Sequence, residues 1–424
     1  MSEWKEYKLG EVASVQTGPF GSQLHQKDYV NFGTPIITVE HLGDNRITYQ
    51  NLPRITDKDK LRLKKYNLQV GDVVFSRVGS VDRRALVTKH EVGWLFSGRC
   101  LRVRANEKKS NGAFLSYYFG QESFKKHVRQ IAVGATMPSI NTSILSEIVI
   151  RIPDLPTQTA IAEILSSLDD KIELNNKINQ ELEDLAQTLF KRWFIDFEFP
   201  NENGDPYKSS GGEMVDSELG EIPKGWGVGK LKDILNVKGG TTPSTKEPKY
   251  WGGDFHWTSP RDLSNLSHPI LLNTEKKITN LGLRKVSSGL LPKGTLLLSS
   301  RAPIGYTAIT EIETAINQGY IAINGKNGFS NIFLLFWIKQ NMDLIIERAN
   351  GSTFLEISKS NFLEINTVIP NEGYLNLFIG QAEVLFGQMK NVVFENQELT
   401  TLRDTLLPKL ISGELQVSQI QNIP

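Results

Sequence analysis

Gln16, Ser22, Gln23 and Lys27 crowd into one stretch of the sequence that also carries glycine and proline, and Arg77, Ser80, Arg83 and Arg84 crowd into another. A second pair of such stretches lies further along. It holds Thr241, Thr242, Ser244, Lys246, Lys249 and Tyr250, then Arg261 with Ser300, Arg301 and Tyr306. Glycine and proline favour exposed turns, and the polar residues among them are types that read nucleic acid. An arginine fork matches O6 and N7 of guanine, a glutamine or asparagine amide matches adenine, and lysine neutralises phosphate. Residues 54–65, with six basic and two acidic side chains, suit phosphates better than base edges. We expect these stretches to touch DNA, with an ordinary solvated side chain as the competing expectation at each position.

Catalytic constellations are missing. The six histidines, at 25, 41, 90, 127, 256 and 268, show no metal-ligand spacing, and a single cysteine rules out a CxxC zinc site or an internal disulfide. That residue, Cys100, sits in a strand-like run ending at Arg104 and is expected in a core. HExxH, GxxxxGK[ST] and GxSxG do not occur, and Pro153-Asp154 lacks a following Glu-x-Lys. No Asn/Asp-Pro-Pro-aromatic stretch of an amino-methyltransferase is encoded. Trp251 and Trp257, and the run Trp193, Phe194, Phe197 and Phe199, are expected to pack rather than to cage a ligand. These absences favour a binding protein over an enzyme.

With 39% hydrophobic and 22% charged residues, the chain is composed like a globular protein of two to four folding units, not a disordered one. Its net charge of +1 conceals an alternation. Twenty-three basic against 14 acidic residues give +9 over 1–151, and 5 against 16 give −11 over 152–221. Then 17 against 11 give +6 over 222–370, and 3 against 6 give −3 over 371–424. A polyanion is drawn to the basic blocks and repelled by the acidic ones. The longest apolar run, Ile332–Ile338, is far short of the ~20 residues of a membrane span, so a cytoplasmic protein is expected.

The alternation follows an internal repeat. Trp4, Lys8, Leu9, Glu11 and Val12 align with Trp226, Lys230, Leu231, Asp233 and Ile234 at an offset of 222. Residues 134–145 align with 351–362, and 179–182 with 396–399, at an offset of 217. Each half reads as a globular block followed by a long helix. Leu168, Ile172, Asn175, Ile178, Leu182, Leu185 and Leu189 form a stripe of coiled-coil spacing. It recurs as Leu385, Met389, Val392, Glu395, Leu399, Leu402 and Leu406. Thr157 is the expected cap of the first helix, 200–212 reads as a linker, and the second helix is expected to break near Pro408. The boundaries expected are blocks at 1–154 and 223–372, helices within 155–199 and 373–416, a linker over 200–222 and a tail over 417–424. Antiparallel helices of ~30–35 residues, ~45–50 Å long, would hold the two basic blocks a fixed distance apart.

The strings TGPFGSQLHQKDYVNFGTPII (17–37), GGTTPSTKEPKYWGG (239–253), QTAIAEIL (158–165) and LFKRWFIDFEF (189–199) resemble the specificity subunit of type I restriction-modification systems. So do DSELGEIPKGW (216–226), SSRAPIGYTAI (299–309) and ETAINQGYIAI (313–323), and the resemblance runs in order over nearly the whole chain. It implies an α+β protein with two similar target-recognition domains and two long antiparallel coiled-coil helices in a pseudo-two-fold repeat. Each domain would read one half of a split double-stranded DNA target. The helices, through the leucine stripe, would set the gap and dock two methyltransferase subunits. At ~3.4 Å per base pair, the expected helix length puts half-site centres at most ~13–15 base pairs apart. The resemblance implies no catalysis and no cofactor in this chain. S-adenosylmethionine, ATP and Mg2+ are implied for the methyltransferase and motor-nuclease partners.

Overall fold

The structure, a computed structural model, describes residues 4–351 and 355–421. Part of the 351–362 repeat segment, residues 352–354, lies outside the described residues. The chain divides into two units, one made of residues 1–172 with 398–424 and the other of residues 173–397. Both are α+β, and each contains one block and parts of both long helices.

In the first unit, Lys5–Lys8 pairs antiparallel with Val149–Ile152, closing the block at its two chain ends. A four-stranded antiparallel sheet runs in the order Ala13–Thr17, Cys100–Ala105, Val73–Ser76 and Arg84–Leu86. All four residues of Val73–Ser76 are buried, as expected of a central β-branched and aromatic strand. A smaller sheet joins Arg54–Ile55, Thr34–Ile37 and Leu95–Phe96, the last two parallel. Helix Gly112–Gly120 backs the larger sheet, and its N-cap Asn111 accepts from the Phe114 amide at 3.0 Å.

The second unit repeats this plan. Gly227–Lys230 pairs with Asn366–Ile369, at offsets of 222 and 217 from the first closing ribbon. The larger sheet runs Leu235–Gly239, Tyr320–Gly325, Leu296–Ser300, Ile304–Thr310 and Ile270–Leu271. The smaller one runs Lys276–Ile278, Trp251–Thr258 and Thr314–Ile316, again with its last pair parallel.

The long helices are Leu155–Phe194 and Glu372–Ser412, of 40 and 41 residues. They exceed the expected 30–35 residues and are ~60 Å each at 1.5 Å per residue. Asp154, not Thr157, caps the first: its carboxylate accepts from the Thr157 amide at 3.0 Å. That places Pro156 in the first turn, where its missing N–H costs nothing. The second helix continues through Pro408 to Ser412 and ends at Gly413, whose φ of +79° suits glycine. Pro408 is exposed, so water can reach the carbonyl its ring leaves unbonded.

Within each unit the two helices run antiparallel. In the first, Ile161, Ala162 and Leu165 share an apolar cluster with Leu410 and Ile411, and Asp169 meets Arg403 at 2.8 Å. In the second, Asn175 donates to Glu395 and Asn396 at 2.8 and 2.9 Å, while Phe190 and Trp193 meet the Phe378 ring. The seam departs from the expected leucine stripe. Met389 is fully buried, whereas Leu168, Ile172, Ile178, Leu182, Leu189, Leu385, Leu399 and Leu406 are half-buried. Leu185 and Leu402 stay 54% and 46% exposed. A straight α-helix drifts ~20° per heptad from a 3.5-residue repeat, and the drift accumulated between Leu168 and Leu185 turns Leu185 off the seam. Ala186, Phe190 and Trp193 take over the buried face there, and Asp169, Asn175 and Asn179 are buried before it.

The expected linker is folded. Met214–Ser217 and Gly220–Pro223 form a hairpin, and Phe199 stacks on Trp226 and Tyr207 with centroids 4.9 and 4.5 Å apart. Trp193, Phe194, Phe197 and Phe199 all belong to the core of the second unit. Cys100 is fully buried, and burial pushes its thiol up to about 12, so it stays protonated at neutral pH. Among the described residues no helix is long and apolar enough to cross a membrane.

Candidate nucleic-acid interface

The loops expected to touch DNA begin at the same structural point in both repeats. Gly18 ends the edge strand Ala13–Thr17, and Gly240 ends Leu235–Gly239, at an offset of 222. A Cβ on Gly18 would sit 2.2 Å from the Ser97 carbonyl oxygen, and one on Gly240 would sit 1.8 Å from that of Ile316. Only glycine lets the chain pass so close to the end of the neighbouring strand. The loop that follows thereby passes against the end of a strand of the smaller sheet, Leu95–Phe96 in the first block and Thr314–Ile316 in the second.

In the second block the loop is bonded in place. Thr241 Oγ1 donates to the Lys285 carbonyl at 2.8 Å and accepts from the Ser287 amide at 3.0 Å. Thr242 Oγ1 donates to Gln318 Oε1 at 2.6 Å. Trp251 Nε1 donates to the Ser244 carbonyl at 3.1 Å, and Trp251 packs edge-on to buried Trp257 at 5.1 Å. Both tryptophans are therefore supports for the loop. Ser244, Lys246 and Lys249 are exposed, and Tyr250 is half-buried.

Several basic side chains carry exposed carboxylate partners. Lys249 meets Glu247 at 3.1 Å, Arg261 meets Glu275 at 3.6 Å and Arg301 meets Glu356 at 3.6 Å. Exposed pairs of this kind are worth ~0–1 kcal/mol, so a phosphate can displace the carboxylate at little cost. Tyr306 is half-buried, and its amide donates to Ser299 Oγ at 2.8 Å. Ser300 is 3% exposed, inside the sheet, and so does not sit on the surface loop expected for it.

The first block shows the same pattern with different residues. Ser22 and Lys27 are exposed, and Gln23 Oε1 accepts from Tyr66 Oη at 2.5 Å. Arg62 donates to the Gln23 carbonyl at 2.8 Å, so the basic segment 54–65 abuts this loop. Gln16 is half-buried on its strand, with no partner for its buried Oε1. Arg77 donates to the Gly98 carbonyl at 3.2 Å, and Ser80 is an exposed turn residue. Arg83 reaches the Leu42 carbonyl. Arg84 is not on an exposed loop as expected. It is 5% exposed, lies on strand Arg84–Leu86, and donates to the Ser116 carbonyl at 2.6 Å. It acts as an internal strut.

The sequence reading passed over Arg99 and Gln318, both exposed. Each lies within two residues of the start of an equivalent strand, Cys100–Ala105 or Tyr320–Gly325. The signal lay in the repeat, which sets the segment around Arg99 against the Asn317-Gln318-Gly319 turn. Among the described residues no cluster of His, Cys, Asp and Glu could hold a metal.

The chain is thus a duplicated α+β protein whose two blocks open similar loops after equivalent strands. Residues 1–184 and 223–373 match the Type I restriction modification DNA specificity domain. The chain belongs to that family. It is 25% identical to the type I restriction enzyme HindI specificity subunit of Haemophilus influenzae, over 98% of this chain and all of that one. The MjaIX specificity subunit of Methanocaldococcus jannaschii is 41% identical over 38% of this chain and 37% of its own. The crystal structure of a type I restriction-modification S subunit from M. genitalium superposes with a TM-score of 0.57 at 17% identity, covering 96% of each chain.

Proposed function

We propose that this chain is the non-catalytic specificity subunit of an adenine-methylating, type I restriction-modification complex, and that each block reads one half of a bipartite, asymmetric double-stranded DNA target. The observation that carries the reading is the repeated Gly18/Gly240 loop entry, followed in each block by a different set of polar side chains. Identical placement with non-identical residues gives two half-sites of different sequence. The long helices set the gap between half-sites, and S-adenosylmethionine, ATP and Mg2+ serve the methyltransferase and motor-nuclease partners. The test is genome-wide mapping of methylated adenines in cells expressing this chain with its methyltransferase subunit. The expected result is one two-part motif with a constant gap. Methylation by the methyltransferase without this chain, at the same sites, would refute the reading.

Leu185 and Leu402 are related by the 217-residue offset and are both exposed on the long helices. We infer that each contributes to a docking face for one methyltransferase subunit. Leu185→Asp and Leu402→Asp should each remove one of two bound partners in light-scattering mass measurements, and together both. Neither change should lower the melting temperature by more than ~2 °C, because exposed substitutions cost within ~0.5 kcal/mol. Two partners still bound to the double variant would exclude these faces.

A further inference from the structure

The first unit holds a cleft of about 570 Å³ whose lining includes Asp44, Asn45, Arg84, Tyr117, Asp169 and Arg403. Its walls are one connected polar network. Arg403 of the second long helix donates to Asp169 of the first at 2.8 Å and lies 3.7 Å from Asp44 of the block. Asp169, 7% exposed, also accepts from Tyr117 Oη at 2.6 Å and from Asn45 Nδ2 at 3.5 Å. Asn45 in turn accepts from Ser116 Oγ at 2.5 Å, and Arg84 bonds the Ser116 carbonyl while lying 3.4 Å from Asp44. Burial, then the neighbouring Asp169 charge, pushes the Tyr117 phenol up, so it remains a donor at physiological pH.

The repeat does not preserve this arrangement. The 217-residue offset carries Asp169 onto Phe386 and Arg403 onto Ala186, both buried in the apolar core of the second unit. At this position the second block meets its helices through apolar side chains. The polar contacts beside them, Gln187 with Gln340 and Glu183 with Lys339, link only the first helix to the block, with no buried network joining both helices among the described residues. The first block has apolar contacts too, through Ile161, Leu165, Leu410 and Ile411. Such contacts are non-directional and tolerate sliding, whereas charge-assisted hydrogen bonds fix both distance and angle.

We propose that Arg403 is a positioning residue that sets the angle of the first recognition block on its helix pair, and through it the stringency of the gap between half-sites. The inference rests on the half-site reading proposed above. The experiment uses the complex of the full chain with its methyltransferase subunits and a set of duplexes carrying both half-sites. The duplexes have the native gap or a gap one base pair longer or shorter. Arg403→Leu should raise methylation of the off-gap duplexes relative to the native one at least fivefold, with half-site sequence preference unchanged. Tyr117→Phe should raise it about twofold, and Arg403→Lys should restore much of the stringency. Val103→Ala, a core change in the same block away from the network, should lower thermal stability without moving the ratio. A native gap preference in Arg403→Leu, or equal broadening in Val103→Ala, would overturn the proposal. If the unmodified complex shows no two-part preference, the specificity reading falls and this inference with it.

Discussion

Phe378→Ala is expected to destabilise the second unit by about 3–5 kcal/mol. Phe378 lies on the second long helix and is fully buried. Its ring centroid is 5.0 Å from that of Phe194, 5.7 Å from Phe190, 5.9 Å from Phe333 and 6.0 Å from Trp193. It thus joins three elements at one point: both long helices and helix Asn331–Gln340 of the block. Truncation removes the transfer energy of the ring and leaves a hole that four aromatic neighbours cannot all collapse into. Edge-to-face geometry adds ~0.5–1.5 kcal/mol per pair beyond area, so the upper half of the range is the better expectation. Trp193, Trp226 and Trp337 lie in the same core and report its unfolding by fluorescence. With m of about 2 kcal/mol/M, the urea midpoint should fall by about 2 M. Val384, on the same helix but 61% exposed, gives the contrast, since Val384→Ala should shift the midpoint by less than ~0.3 M. A Phe378→Ala midpoint within that smaller margin would mean the aromatic cluster does not hold the unit together.

The parts of this architecture legible in the sequence are those where local pattern and fold agree. The repeat was visible because the closing ribbons and loop entries lie where the backbone leaves few choices, at Gly18 and Gly240 and at the strands after Trp4 and Trp226. The long helices were visible from their apolar spacing, but their seam was not. A heptad reading places Asn175 on the buried face, while other buried positions follow the 3.6-residue turn and include Asp169 and Asn179, which no hydrophobic pattern marks. Pro408 looked like a stop because a proline costs an internal hydrogen bond, a cost that is small where the freed carbonyl faces water. Arg84 looked like a surface base next to Arg83, yet it opens strand Arg84–Leu86 and is buried against the Ser116 carbonyl, a partner 32 residues away that only the fold brings up. The carboxylates beside Arg261 and Arg301 were hidden by sequence distance: Glu275 and Glu356 are brought up only by the fold. Net charge by segment therefore followed the two blocks without identifying which of their cations carry carboxylate partners.

Gly240→Ala is expected to reduce discrimination at one half-site by more than tenfold while leaving the other intact. The methyl group would need to share space with the Ile316 carbonyl, 1.8 Å from its ideal position, and with the Ile316 side chain at 2.6 Å. A backbone carbonyl held in strand Thr314–Ile316 cannot rotate away, so the loop itself must move by more than ~1 Å. Thr241 and Thr242 follow directly, and their bonds to Lys285, Ser287 and Gln318 register the whole of residues 241–250. A displacement of that size breaks bidentate base contacts, each worth ~1–3 kcal/mol, or roughly 5- to 150-fold in selectivity. Gly18→Ala, whose Cβ meets the Ser97 carbonyl at 2.2 Å, should do the same to the other half-site. The measurement is methylation by the complex of duplex pairs that differ by one base pair in either half-site. Reciprocal losses, one block to one half-site, are the signature of two independent readers entered through equivalent glycines. Loss at both half-sites from either single change would mean that the loops act on DNA binding as a whole. Unchanged selectivity in both variants would place the reading residues outside these loops.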